Sequence, residues 1–288
     1  MNFVTEIDPE EDQIHQWLSP LEPQRRHQGV RTGRFDGIGN WVLETNEFRE
    51  WSDGENGCVE QVLFCYGNPG VGKTYLRYQG LSSREIQCRC HRLSSNNSSV
   101  VIDSLCDRAV EEDIAVVGLY CDFLAQQEQS TTNMLGATLK QLASRREIPK
   151  DIQDAFQKAR EEFGGQGLQL RELVDIIKKV IKSLSRVFIC IDALDKSTPQ
   201  HRRELLQSLQ EIVRVSKNTR IFITGRPHIE DEIVKAFSKV ARIRLSPTQG
   251  DIKSYLEIML SRDANPYAMD DKLRADIMRV IPEKTSEM

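Results

Sequence analysis

The sequence predicts an α/β fold, a sheet sandwiched between helices, and three stretches predict it. The first runs from Gln61 to Leu76, QVLFCYGNPGVGKTYL. Its apolar start, Val62 to Tyr66, passes directly into Gly67-Asn68-Pro69-Gly70-Val71-Gly72-Lys73-Thr74, which is GxxxxGK[ST] behind a short buried strand. The second is Arg186 to Lys196, RVFICIDALDK, a continuous apolar run of the kind a strand covered on both faces requires, ending in Asp192. The third is Arg220 to Pro227, RIFITGRP, a strand that delivers Thr224 and Arg226 to the same edge.

Each stretch carries chemistry suited to a nucleoside triphosphate. Gly67, Gly70 and Gly72 let the backbone turn tightly and bring its N–H groups against phosphate oxygens. A helix starting near Gly72 points its positive end at the same anion. Lys73 sets an ammonium on the β- and γ-phosphates, and the Thr74 hydroxyl is a Mg²⁺ ligand. Asp192, at the carboxyl end of its strand, lies at the ligand edge of such a sheet and can hold the same metal. Arg226 can grip a γ-phosphate in bidentate fashion; the competing reading is a surface arginine before a proline turn.

Composition narrows the classes. The chain has 288 residues, 39% hydrophobic and 28% charged, enough to bury one large α/β domain or a core with an appendage. A net charge of −4 gives no global attraction to nucleic acid or an anionic membrane. No run approaches the roughly 18 apolar residues of a membrane span, and the acidic start MNFVTEIDPEED has no signal-peptide core. Seven scattered cysteines, with Cys65 and Cys190 inside apolar strands, read as reduced thiols in a cytoplasmic protein.

In chain order, residues 8–18 form a short helix that Ser19-Pro20-Leu21-Glu22-Pro23 breaks. A polar, glycine-dotted lead-in follows, with Trp41, Phe48 and Trp51 either beside the nucleotide base or capping the sheet. After the phosphate loop the helical pattern fails, because Leu81 and Ile86 do not continue a face from Leu76. Residues 77–97 hold four Ser, four Arg, two Asn and one Gly. Joining Leu76 directly to Ser98 restores an amphipathic stripe through Val100, Val101 and Leu105, so 77–97 reads as a foreign insertion, such as translated intron sequence. Cys88-Arg89-Cys90-His91 lacks a second ligand pair and is a weak metal candidate. Residues 115–123 are a buried strand; 131–144, 150–163 and 168–185 are helices, the second stopped by Gly164-Gly165-Gln166-Gly167. A helix over 199–218 links the second and third site strands. A short helix (229–237), a fifth strand (241–246) and helices over 250–263 and 270–281 complete the chain. The domains expected are a lead-in (1–55), the nucleotide-binding core (56–247) and a helical extension (248–288).

The order GNPGVGKT, FICIDALD, IFITGRP, SPTQGDIKSYL resembles the NACHT branch of STAND-type P-loop NTPases. It is most similar to the fungal NOD-like proteins and the related nephrocystin 3 N-terminal domain, over residues 10–76 and 98–288. The resemblance implies a three-layer sandwich around a five-stranded parallel sheet of order 5-1-4-3-2, bound ATP or GTP with Mg²⁺, and a signalling switch that governs self-association or pairing with related NACHT proteins. Gly67 to Thr74 would be Walker A, Asp192 and Asp195 the Walker B acids, and Arg226 the sensor. Asp195-Lys196 stands where the family usually has two acids, which implies slow or absent hydrolysis, since a charged lysine accepts no proton. Relatives continue into a winged-helix segment and ankyrin, WD40 or TPR repeats, so a truncated member is expected. The alternative is a non-catalytic interaction fragment with a defective P-loop; a metabolic kinase is weakened by the lack of an acceptor-binding constellation.

Overall fold

The computed structural model describes residues 9–32, 37–54, 60–67, 99–109, 113–144, 148–161, 167–262 and 269–285. The elements in order are α1 (Pro9–Leu18), α2 (Pro23–Thr32), α3 (Trp41–Glu44), α4 (Asn46–Asp53), β1 (Val62–Tyr66), α5 (99–108), β2 (Ile114–Tyr120), α6 (Thr131–Ala143), α7 (Lys150–Glu161) and α8 (Leu170–Lys182). There follow β3 (Arg186–Asp192), α9 (Pro199–Val215), β4 (Thr219–Gly225), α10 (Glu230–Ala236), β5 (Val240–Arg244), α11 (Gln249–Ser261) and α12 (Asp271–Thr285).

The five strands pair in parallel in the order β2-β3-β4-β1-β5, the order the resemblance implies, read from the opposite edge. Tyr66 pairs with Gly225, Ile191 with Ile223, and Tyr120 with Asp192, so the tips of β1, β2, β3 and β4 end on one rim.

Strand periodicity divides the core in two. Val62, Phe64, Val187, Ile189, Ile191, Ile221 and Ile223 face α1, α6, α8 and α9. Leu63, Cys65, Phe188, Cys190 and Phe222 face Phe48 and Trp51 of α4 and Val101, Ile102 and Leu105 of α5. Each buried Val, Leu, Ile or Phe among them contributes about 1.5–3 kcal/mol by leaving water. Trp51 lies 5.4 Å from Phe188 and 6.1 Å from Phe222, ring centre to ring centre. Of the two readings for these aromatics, the structure therefore gives sheet capping to Phe48 and Trp51. The carboxyl end of α4 is closed by Arg220 Nε on Trp51 O (3.3 Å) and Arg186 Nη1 on Ser52 O (2.9 Å), cations where a helix carries partial negative charge.

Several boundaries shift for identifiable reasons. The strand expected over 115–123 ends at Tyr120, because the Asp122 carboxylate accepts from Leu124 N and closes a 3₁₀ turn over Phe123–Ala125. The polar half of the lead-in forms α2, with Pro23 in its first turn. This helix is tied across the chain rather than by an apolar stripe: Arg26 pairs with Asp122 at 2.9 Å, and His27 Nε2 lies 3.0 Å from Asp103 Oδ1 on α5. The last helix continues through Pro282 to Thr285. Within α5, Val100, Val101 and Leu105 are buried. Leu76, the 77–97 segment and its Cys88-Arg89-Cys90-His91 lie outside the described residues.

Two close approaches matter later. A Cβ on Gly136 of α6 would stand 2.0 Å from the carbonyl oxygen of Leu18, so α1 crosses α6 through a gap only glycine leaves. Along the outer edge of β2, Gln141 accepts from Gly118 N (3.0 Å) and donates to Gly118 O (3.1 Å). Gln129 likewise donates to Tyr120 O and accepts from Asp122 N, both at 2.8 Å.

Candidate functional site

The rim where β1, β3 and β4 end gathers the described candidates. β1 leaves the sheet at Gly67, whose N–H donates to Gly225 O at 3.4 Å, while Leu245 N donates to Tyr66 O at 2.6 Å. A Cβ on Gly67 would meet Leu245 O at 3.0 Å, so the glycine lets the chain slip out between β4 and β5. Asn68, Pro69, Gly70, Val71, Gly72, Lys73 and Thr74 lie outside the described residues.

Asp192 closes β3 and is only 5% exposed, as is Thr224 on β4. The Thr224 hydroxyl donates to Asp192 Oδ1 at 2.7 Å and accepts from Ala193 N at 2.8 Å. A carboxylate can only accept, so these roles are forced. Ala193 takes the left-handed conformation (φ 54°, ψ 47°), which costs a non-glycine residue about 1–2 kcal/mol. Its N–H bond to Thr224 and the Lys196 N bond to Ala193 O (2.9 Å) hold it there. That bend swings the chain into a tight turn over Leu194–Lys196, pinned by the fully buried Leu194 and by Gln126 Nε2 donating to Lys196 O.

The turn brings Asp195 to Arg226. Arg226 Nε stands 3.2 Å from Asp195 Oδ2; the Asp195 side chain is 7% exposed and that of Arg226 49%. A second, two-pronged pair braces the same loops from below. Arg202 of α9 gives Nε to Glu232 Oε2 (2.9 Å) and Nη2 to Glu232 Oε1 (2.7 Å), with Nη1 on Ser197 O (3.1 Å). These bonds from Arg202 hold the Glu232 carboxyl below its ordinary pKa. Asp195 and Arg226 thus join the loops after β3 and β4, and Arg202 and Glu232 join the helices that follow them.

The site as described has no activated nucleophile. The thiols of Cys65, Cys121 and Cys190 are pushed up far above their ordinary range by burial, which leaves them as small apolar core groups. Among the described residues no group of three or more His, Cys, Asp or Glu side chains could hold a metal alone. Mg²⁺ asks for less, one or two carboxylates together with substrate phosphates and water. A hard carboxylate oxygen at the strand tip, held in place by Thr224, fits that requirement.

Of the sequence-predicted residues, Gly67, Asp192, Asp195 and Arg226 share this rim. The grip of Thr224 on Asp192 and the Arg202–Glu232 brace were not predicted. The alternation of β4 places Thr224 beside the β3 tip, but nothing in the helical pattern of α9 singles out Arg202.

Solved structures with related architecture have low identity. A Walker-type ATPase of Pyrococcus abyssi aligns at 12% identity and TM-score 0.48, covering 88% of this chain and 67% of that one. The Orc1 protein of Aeropyrum pernix, solved in complex with DNA, gives 16% and 0.40, covering 95% and 64%. Drosophila ORC bound to DNA gives 12% and 0.41, covering 96% and 56%. The chain thus spans about two thirds or less of these solved chains. No curated protein matches it in sequence. Among the described residues no helix is long and apolar enough to cross a membrane. The family profile "Nephrocystin 3, N-terminal" matches residues 37–89 and 94–226, so it runs through most of the stretch read as a foreign insertion and breaks only at 90–93, which counts against that reading. That match takes in more than half of the sequence, together with β1, β3, β4 and the rim they form: the chain belongs to the nephrocystin 3 N-terminal family.

Proposed function

We propose that this chain is a nucleotide-binding module of the NACHT type, whose ATP or GTP state governs self-association. The observation that carries the reading is the buried Asp192 at the tip of β3, held by Thr224 one strand away from where β1 enters GNPGVGKT. In this reading Gly67 to Thr74 wrap the phosphates, Lys73 neutralises the β- and γ-oxygens, and Thr74 and Asp192 hold Mg²⁺. Held there, the metal would offset the charge of the phosphates. Arg226 faces the terminal phosphate.

Turnover is slow or absent. Lys196 occupies the place of a second acid, and a charged lysine cannot take a proton from an attacking water. The NOD-like and fungal affinities belong to this proposal and rest on the motif order alone.

Equilibrium binding of fluorescent ATP and GTP analogues with Mg²⁺ tests the reading. Lys73→Ala is expected to lose at least about tenfold in affinity, the scale of one charge-assisted contact to phosphate. A variant that binds like the parent overturns the assignment. Light scattering with and without triphosphate tests self-association, with an increase in mass expected only with triphosphate.

A further inference from the structure

Two arginine–carboxylate pairs brace the rim, and they differ in a way that bears on function. Arg202 and Glu232 meet through two bonds, with the Arg202 side chain 7% exposed. Arg226 places Nε 3.2 Å from Asp195 Oδ2, with the guanidinium half in solvent. The carboxylate of the second pair is the fixed partner. It rides on a turn anchored by buried Leu194, by the left-handed Ala193 and by the bond from Ala193 N to Thr224. The guanidinium is the movable partner, since its backbone is set by Pro227 and by the tie from Glu232 of α10 to Arg202, while its side chain is long and wet.

Resting on the nucleotide reading above, we propose that Asp195 is a positioning residue that competes with the terminal phosphate for Arg226. The pair is a latch that a triphosphate opens and a diphosphate leaves shut. A terminal phosphate offers more negative charge than a carboxylate, and oxygens spaced for a two-pronged guanidinium grip. Transfer of Arg226 leaves a mostly buried carboxylate without its cation, and that cost falls on triphosphate binding alone. Asp195 therefore lowers the preference for triphosphate over diphosphate and ties the state of the β3 turn to the nucleotide held.

The test measures dissociation constants of the full chain for AMP-PNP, ADP, GMP-PNP and GDP with Mg²⁺, in the parent, Asp195→Asn, Arg226→Gln and the double variant. Asp195→Asn keeps the shape and removes the charge, and its triphosphate-to-diphosphate preference is expected to rise roughly tenfold, the scale of a half-exposed charged hydrogen bond. Arg226→Gln is expected to lose the preference, and adding Asp195→Asn to it to change nothing further. Asp195→Glu, which restores the charge, is expected to return toward the parent ratio. An unchanged or lowered ratio in Asp195→Asn, or a rise that persists without Arg226, overturns this proposal while nucleotide binding stands. A parent that binds none of the four nucleotides overturns both.

Discussion

Replacing Thr224 by valine keeps the outline of the β4 tip and deletes a single hydroxyl. In the parent that hydroxyl donates to Asp192 Oδ1 at 2.7 Å and accepts from Ala193 N at 2.8 Å, at a point where both side chains are 5% exposed. The first bond is charge-assisted and contributes about 1.5–3 kcal/mol. Without the second, a backbone N–H is left unpaired, at a further cost of about 1–3 kcal/mol, and the strained Ala193 loses one of its anchors. Allowing for relaxation, the sum is about 3 kcal/mol, which for a domain of this size is a fall of roughly 6–12 °C in Tm. Calorimetry and urea unfolding would read it, with the urea slope unchanged if only the native state is affected. Thr224→Ser, which keeps the hydroxyl, should recover most of the loss. A valine variant melting within about 2 °C of the parent would refute the reasoning, because the Asp192 carboxylate would then have to be held by something other than Thr224.

Two further perturbations probe the braces. Glu232→Gln removes the charge that Arg202 grips and should cost about 2 kcal/mol at neutral pH. Because the Glu232 pKa is lowered in the fold, its contribution is full above the ordinary value of 4.5 and is lost as pH falls below it. Urea midpoints of parent and variant should therefore converge in acid; a gap that persists at low pH would assign the loss to packing. Gly136→Ala drives a methyl into the Leu18 carbonyl and should destabilise by about 1–3 kcal/mol while loosening α1, read as faster amide exchange over residues 9–18. Unchanged stability would mean that α1 is not seated against α6.

The strands were legible because burial on both faces leaves a continuous apolar run with few other readings. VLFCY, VFICI and IFIT each became a strand within a residue or two of its expected ends. Their tips were legible too, since chemistry at a strand end is bound to its register. What escaped the sequence is held by bonds between distant residues. α2 has Pro23 as its one buried residue and is fixed by Arg26 and His27 to partners far along the chain, so no periodic stripe announces it. β2 stops at Tyr120 rather than three residues later because the Asp122 side chain caps a turn, a local contest that an apolar run up to Phe123 conceals. The left-handed Ala193 was equally hidden, since neither glycine nor asparagine marks the position.

Gln129 and Gln141 give the outermost strand a neighbour that is not a strand. Main-chain groups of Gly118, Tyr120 and Asp122, which point away from β3, are met by side-chain amides that donate and accept as a peptide bond does. The upper half of that margin is therefore sealed against a visiting β-ribbon. A sixth strand added to this sheet would have to pair elsewhere, along the lower part of β2 or on β5 at the opposite edge.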